Sequence, residues 1–101
     1  MLICLSFHSD LIIPVRSGHK TCTSRPMPKG RPGDRFRVGM AEYELINVQP
    51  CPLGLVASLL YVPEGFAGPD QFIEFWTSIY GRYDPGLLVY VHWWRPCEWT
   101  G

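Results

Sequence analysis

The segment Gly18-His19-Lys20-Thr21-Cys22-Thr23-Ser24-Arg25 decides most about this sequence. Gly18 favours the end of a helix, because glycine readily takes the left-handed conformation found there. The β-branched threonines that follow favour an extended strand. Side chains three residues apart in a regular strand lie on opposite faces. We therefore expect Lys20 in the turn after Gly18, with Thr21, Thr23 and Arg25 on one face of the strand. A β-bulge in the strand would also allow Lys20 and Thr23 to face the same side.

The residues before this segment predict a strand and a helix. Leu2–Phe7 is an apolar run of the kind found in buried strands. A helix is expected over about residues 9–17, with Ser9 or Asp10 as its N-terminal cap. Pro14 lies inside this helix and is expected to kink or shorten it, because proline lacks the backbone N–H.

The residues after the segment alternate between turns, strands and helices. A turn-rich loop with basic side chains covers residues 26–33. Two strands follow at Asp34–Val38 and Glu42–Val48, as in a hairpin or meander. Leu53–Val62 predicts a short buried helix, and Leu87–Trp94 predicts a final strand.

The clearest element is a long amphipathic helix over about residues 69–80. Pro69 suits the first helical position, and Asp70 falls in the first turn, where the helix dipole favours an acid. Apolar side chains follow the spacing of one helix face at Phe72, Phe75, Trp76 and Ile79. Such a stripe is typical of a helix that packs on a core. Together these elements predict an α+β fold, a small and partly open β-barrel flanked by short helices.

Charge is balanced in total and uneven along the chain. Nine Lys and Arg residues oppose nine Asp and Glu residues. Residues 16–37 carry a net charge of +6, whereas residues 42–101 carry −5. Local potential governs the attraction of an anionic ligand more than total charge does. The basic block therefore predicts a local site for a nucleotide or a short piece of RNA, unless it is only a solvated loop.

Length and composition exclude several classes of protein. A chain of 101 residues with 47% hydrophobic residues predicts one globular domain over residues 1–101. There is no signal-peptide pattern and no apolar run near the roughly 18 residues that span a bilayer, so we expect a cytoplasmic protein without membrane contact. The four cysteines and three histidines are dispersed, which predicts reduced thiols, no metal site and no cofactor. The even number of cysteines leaves a disulfide open, and we expect a monomer.

The Gly18–Arg25 segment resembles the G-x-K-T-x-T-x-R signature of the ASCH domain, a branch of the PUA-like superfamily. Further matching pieces occur in the family's order along residues 2–94. They are Leu5-Ser6-Phe7, Ser17, Gly33-Asp34-Arg35, Val38-Gly39, Glu64-Gly65-Phe66, Phe72–Trp76, Ile79-Tyr80 and Val89–His92. The resemblance implies a β-barrel with flanking helices, a cleft lined by the signature, and a link to RNA or modified nucleosides.

Within that family, the small bacterial N4-acetylcytidine amidohydrolases are similar in length. The resemblance to them implies a catalytic set of Lys20, Thr23 and Glu64, where the match of Glu64 requires one inserted residue before the long helix. Amide hydrolysis needs a nucleophile, a base and an acid for the leaving amine. Thr23 would be the nucleophile, Lys20 the base and Glu64 the acid. Arg16 and Arg25 are candidates for the cations that would keep Lys20 neutral.

The same residues also have purely structural interpretations. Lys20 can be a solvated surface lysine, Thr21 and Thr23 can be strand formers, and Glu64 can be a turn residue. The sequence also departs from these enzymes where Pro26 follows the signature. Convergence of the three candidate catalytic side chains on one cleft would favour the enzyme.

Two other functions stay open. The first is a non-catalytic RNA- or nucleotide-binding module in which basic side chains hold phosphates. The candidate substrate- or RNA-binding residues are Arg25, Thr21, Arg16, Lys29 and Arg31. The second is ribonuclease activity, which is also linked to this domain family. Trp93, Trp94 and Trp99 can stack bases, but late-strand tryptophans usually pack on the barrel.

Overall fold

The computed structural model describes residues 1–97 and contains three helices and four strands in that range. In chain order they are α1 (Ser9–Ser17), β1 (Cys22–Arg25), β2 (Arg35–Val38), β3 (Ala41–Pro52), α2 (Leu53–Leu59), α3 (Pro69–Tyr80) and β4 (Leu88–Pro96). The turn-rich segment 26–34 connects β1 to β2, and a tight turn at Gly39 joins β2 to β3.

The four strands form one antiparallel sheet in the order β1-β4-β3-β2 that curls into a half-barrel. The long β3–β4 pair is its centre, and a bulge between Leu45 and Asn47 shifts the register there. Such a bulge increases the local twist of a strand. β1 lies at one edge and pairs with β4 through the register Thr23 opposite His92. The predicted α+β class and partly open barrel are confirmed.

The predicted amphipathic helix over about residues 69–80 is confirmed as α3. Pro69 begins it, and Gly81 ends it with a φ of 83°, a left-handed conformation that glycine adopts at little cost. The side chains of Phe72 and Trp76 are buried, so the apolar stripe faces the core. Together with the side chains of α2, they pack against Val89 on the sheet.

In the region before the signature, the predicted helix is confirmed and the predicted strand is wrong. Leu2–Phe7 forms no regular strand, because only one bridge joins Leu2 to Arg35 before the chain turns away to begin α1. The helix α1 covers the predicted residues 9–17, so Pro14 does not shorten it, and Leu11 and Val15 are buried on its core side. One missing N–H costs a single backbone bond, and burial of the apolar face offsets it.

The cap of α1 also differs from its prediction. His8 occupies the capping position in place of Ser9 or Asp10, and its Nδ1 accepts a hydrogen bond of 3.2 Å from the Asp10 backbone N–H. An imidazole nitrogen can accept in this way when it carries no proton. This cap could not be predicted from the sequence, because histidine is not among the preferred capping residues.

Two hydrophobic clusters pack on the sheet. The first contains Cys22, Leu53, Val56, Ala57, Phe72, Trp76, Val89 and Val91. The second contains Leu5, Val15, Phe36, Val38, Tyr43, Leu45 and Trp94. Trp94 is buried in the second cluster, and Trp93 packs partly against the first. Neither is therefore available as an open base-stacking platform, and Trp99 lies outside the described residues.

Candidate active site

A cleft of about 280 Å³ lies between the N-terminal segment, β1, the turn after α2, and α3. One wall is polar and carries Lys20, Thr23, Ser24, Arg25 and Glu64. The facing wall is mainly aromatic and contains Phe66, Phe72, Phe75, Trp76 and Tyr80. Apolar clefts with a few convergent polar groups are the usual form of small-molecule sites.

Lys20 lies on the floor of this cleft, one residue before Thr21 leads into β1. Its backbone N–H donates to the Pro14 carbonyl at 2.9 Å, so the end of α1 fixes its position. The side chain is 1% exposed. Its Nζ donates to the Glu64 carbonyl oxygen at 2.7 Å and to Glu64 Oε1 at 3.2 Å. The predicted placement of Lys20 in the turn before the strand is confirmed.

Glu64 reaches Lys20 from the turn that follows α2. Its backbone N–H donates to the Leu60 carbonyl at 3.0 Å, and the residue is 2% exposed. While Oε1 accepts from Lys20, Oε2 accepts a hydrogen bond of 2.6 Å from Ser24 Oγ. Burial, and then the charge of Glu64, raise the pKa of the nearby Cys22 thiol, which keeps that thiol protonated.

Gly65 explains how the Lys20 side chain fits beneath this turn. Its φ is +100°, and a Cβ placed on it would lie 3.2 Å from Lys20 Cβ. Any side chain at this position would therefore be strained in its own backbone and would press on the lysine stem. Glycine lets the turn and the lysine approach each other.

Thr23 lines the same cleft from the middle of β1 and is 5% exposed. Its strand position is held by pairing with His92 on β4. Within residues 1–97, no buried polar side-chain atom is left without a hydrogen-bond partner. Thr23 is therefore the third residue of the predicted catalytic set that lines this cleft.

Arg25 lies at the mouth of the cleft. Its Nη2 donates to the Ser6 carbonyl at 2.6 Å, and its guanidinium lies 5.5 Å from the centre of the Phe7 ring. Burial lowers the pKa of Arg25 from its usual value. This arginine ties the N-terminal segment to β1 and so forms one wall of the cleft.

The remaining predicted binding residues do not line the cleft. Thr21 precedes β1, where its backbone N–H donates to the Pro63 carbonyl, and it borders a separate groove with Arg16. The Arg16 guanidinium lies against Gly39 in the turn between β2 and β3. The expectation that Thr21 joins Thr23 and Arg25 in lining the cleft is wrong, because Thr21 borders the separate groove instead.

Lys29 and Arg31 also lie outside the cleft, in the exposed loop before β2. The Lys29 backbone N–H donates to His92 Nε2 at 2.9 Å, and the Arg31 backbone N–H donates to Asp34 Oδ2 at 2.9 Å. Both contacts use the main chain, so they shape the loop while the charged ends point to solvent.

Part of the predicted basic block is neutralised by acids from β3. Arg35 lies 3.1 Å from Glu42 and 3.5 Å from Glu44, and Arg37 lies 3.2 Å from Glu42. Hydrogen bonds from Arg37 and Arg35 lower the pKa of Glu42. The antiparallel pairing of β2 with β3 brings these opposite charges together. The +6 of residues 16–37 therefore does not become one continuous basic surface.

His92 supports the site without lining the cleft, and its role was not predicted. Its Nε2 accepts from Lys29, so the proton sits on Nδ1, which lies 2.9 Å from the Tyr90 carbonyl and 3.2 Å from the Thr23 carbonyl. Burial lowers the pKa of His92, and the neutral form is the one that fits these contacts. The sequence did offer one signal of a buried role, because His92 lies among apolar and aromatic residues in the predicted strand Leu87–Trp94.

Several negative findings apply to residues 1–97. No helix in this range is long and apolar enough to cross a bilayer. No group of three or more His, Cys, Asp or Glu side chains there is arranged to hold a metal ion. All four cysteines have free thiols, and only Cys22 is buried.

Known structures share this fold at low sequence identity. The crystal structure of an ASCH domain from Lactobacillus crispatus JV V101 matches with a TM-score of 0.69 at 10% identity, over 93% of this chain and 76% of that one. Protein PF0455 from Pyrococcus furiosus matches with a TM-score of 0.66 at 14% identity, over 98% of this chain and 100% of that one. Protein EF3133 from Enterococcus faecalis V583 matches with a TM-score of 0.63 at 19% identity, over 91% of this chain and 73% of that one.

Sequence-level matches are lacking. No family model and no curated protein matches the sequence. The likeness is therefore one of structure, and it covers nearly the whole described chain. It agrees with the Gly18–Arg25 signature and with the half-barrel sheet. The chain has the fold of an ASCH domain.

Proposed function

We propose that this protein hydrolyses the amide of a small N4-acylated cytidine, such as N4-acetylcytidine, in the cleft between β1 and α3. The observation that carries the proposal is the buried Lys20–Glu64 pair, which faces a cleft that Thr23 also lines. Removing two charges from water is costly, and replacing such a pair by apolar residues often stabilises a protein. A pair retained at the floor of a cleft is therefore better explained by chemistry than by stability.

The shape and charge of the cleft favour a nucleoside over a nucleic acid. Its volume of about 280 Å³ is at the lower end of small-molecule sites. The charges of Lys20 and Glu64 cancel, which leaves Arg25 as the main positive group at the mouth. The aromatic wall offers Phe66 and Phe75 for contact with a flat base. An uncharged, flat and small ligand fits this combination.

The first half of the reaction uses the pair in its neutral form, with an amine on Lys20 and a protonated Glu64. The Thr23 hydroxyl oxygen attacks the amide carbonyl carbon while its proton passes to Lys20 Nζ. The C–N bond of the tetrahedral intermediate then breaks, and the leaving cytidine nitrogen takes the proton of Glu64. The products of this half are cytidine, an acyl ester on Thr23, and the Lys20–Glu64 ion pair.

The second half restores the starting state. Water attacks the ester carbon and gives a proton to the Glu64 carboxylate, while the departing Thr23 oxygen takes a proton from Lys20. The carboxylic acid is released and the pair is neutral again. The 3.2 Å contact between Nζ and Oε1 lets one proton transfer interconvert the neutral and ionic forms, so the net charge of the pair stays zero.

The direct test is to incubate purified protein with N4-acetylcytidine and to follow the release of cytidine. We expect turnover by the wild type and a loss of about a hundredfold or more in Lys20→Ala and Thr23→Ala, since each removes a group that takes part in bond making. Thr77→Ala is the matched control, because Thr77 is exposed on α3 and its hydroxyl donates to the Ile73 carbonyl outside the cleft.

Two results of this assay would overturn the proposed function. Absence of turnover by a correctly folded wild type would overturn the proposal, as would equal activity in Thr23→Ala and Thr77→Ala. If cytidine binds without turnover, the cleft is a nucleoside-binding site and the protein is a binding module.

A further inference from the structure

We infer that Ser24 is a positioning residue for Glu64 in the proposed reaction, an inference that rests on the proposed function. Ser24 Oγ donates to Glu64 Oε2 at 2.6 Å, in the polar wall of the cleft. In the ionic form of the pair, this contact is a charge-assisted O–H···O⁻ bond, which is about twice as strong as a neutral one. Both residues are buried, at 6% and 2% exposure.

The contact matters because a carboxylate on a turn has rotational freedom. The terminal torsion of a glutamate side chain is broad and roughly two-fold, so packing alone does not choose which oxygen faces which partner. Ser24 holds Oε2 while Lys20 holds Oε1. With one oxygen fixed by each partner, Oε1 is the oxygen that can exchange a proton with Lys20 and the substrate.

Ser24 is well placed for this task because its backbone belongs to the sheet. It lies on β1 opposite Val91 of the buried strand β4, next to Thr23 in sequence. One strand therefore sets the positions of the attacking hydroxyl and of the group that orients the acid. Sites held by strands are positioned more accurately than sites held by loops, and Glu64 itself comes from a turn.

The test compares Ser24→Cys, Ser24→Ala and Ser24→Thr with the wild type in N4-acetylcytidine hydrolysis. Cysteine has nearly the same shape and is only a weak donor, whereas threonine keeps the hydroxyl. We expect Ser24→Cys and Ser24→Ala to lower kcat by about tenfold to a hundredfold, with KM changed by less than about twofold. Ser24→Thr is expected to retain most of kcat. Ser58→Ala is the control, since its hydroxyl contacts only its own helix.

A double-mutant cycle separates positioning from a general structural effect. Because Ser24 acts through Glu64, Ser24→Cys is expected to cause no further loss of kcat in a Glu64→Gln background. An equal loss in both backgrounds, or an unchanged kcat in Ser24→Cys, would overturn the inference. Melting curves of each variant show whether the fold is kept.

A readout without turnover distinguishes failure of this inference from failure of the proposed function. In protein labelled with ¹³C at glutamate carboxyls, Ser24→Cys is expected to shift the Glu64 resonance and to leave that of exposed Glu74 unchanged. Wild-type turnover with an unmoved Glu64 resonance overturns the role of Ser24 alone. A moved resonance without any wild-type turnover overturns the proposed function and leaves the contact established.

Discussion

Lys20 and Glu64 show what a single pair of residues contributes at the floor of the cleft. Both side chains are almost fully removed from water. Lys20 Nζ donates to Glu64 Oε1 at 3.2 Å and to the Glu64 main-chain carbonyl at 2.7 Å. Removal of one partner would leave an uncompensated buried charge, which is strongly destabilising. The activity of Lys20→Ala must therefore be compared with its free energy of unfolding, so that loss of catalysis is distinguished from loss of the fold.

A substitution at Gly65 shifts the Lys20 side chain without removing its charge. Gly65→Ala places a side chain in a left-handed backbone conformation and against the Lys20 stem. We expect it to lower the free energy of unfolding by about 1–3 kcal/mol and to reduce turnover. Urea unfolding and the cytidine-release assay measure the two effects. Gly86→Ala, at a glycine without a positive φ, is expected to change stability by less than about 0.5 kcal/mol, and an equal loss there would contradict this reasoning.

His92 links stability to pH. Burial lowers its pKa in the folded protein, so the unfolded state binds the proton first as the pH falls. Its contribution is therefore fully present above the unfolded value of about 6.5 and declines below it, by at most about 1.4 kcal/mol per pH unit.

The pH effect can be measured by urea unfolding between pH 7 and pH 5. His92→Gln is expected to flatten the decline, since glutamine does not titrate in this range. His19→Gln is the control, because His19 is exposed and bonds only to Ser17 nearby. A decline of the same slope in wild type and His92→Gln would show that other groups cause it.

At the scale of elements, α3 contributes both to the hydrophobic core and to the cleft. Its buried face carries Phe72 and Trp76 into the first hydrophobic cluster, and the same side chains form part of the aromatic wall. The helix that completes the core thus also shapes the cleft. This double use means that stability and ligand binding are coupled through one element.

Trp76→Ala tests that coupling. Truncation of a buried tryptophan removes a large apolar area and leaves a cavity, which costs about 3–5 kcal/mol. We expect a lower urea midpoint and weaker cytidine binding in the same variant. Ser78→Ala on the exposed side of α3 is expected to leave both unchanged. A stable Trp76→Ala protein would contradict the packing described for this helix.

Element prediction succeeded where periodicity and end signals agreed. In α3 the apolar spacing, Pro69 and Gly81 all indicate the same boundaries. Leu2–Phe7 looks like a strand because it is apolar, yet its burial comes from packing of single side chains and not from sheet pairing. Pairing depends on a partner strand, which the local sequence does not reveal.

At the scale of the whole molecule, the sheet decides which charges remain free. Linear counting placed +6 on residues 16–37, but β3 supplies Glu42 and Glu44 to the arginines of β2. Cross-strand pairing joins residues far apart in sequence or across a turn, so a count along the chain misses it. The signature predicted Lys20 and Thr23 in one cleft with Glu64, and the fold brings them together there. Of the basic residues expected around them, Arg25 lies at the mouth of the cleft, whereas Arg16, Lys29 and Arg31 lie elsewhere.

The measurement that tests the central claim most directly is a titration of ¹⁵N-labelled protein with cytidine, followed by amide resonances. A nucleoside that occupies the cleft is predicted to shift the amide signals of Thr23, Ser24 and Gly65, which line or border it. The amide signals of Lys29 and Arg31, in the exposed loop, are predicted not to shift. Shifts confined to Lys29 and Arg31, or no shifts at millimolar cytidine, would contradict a nucleoside site in the cleft.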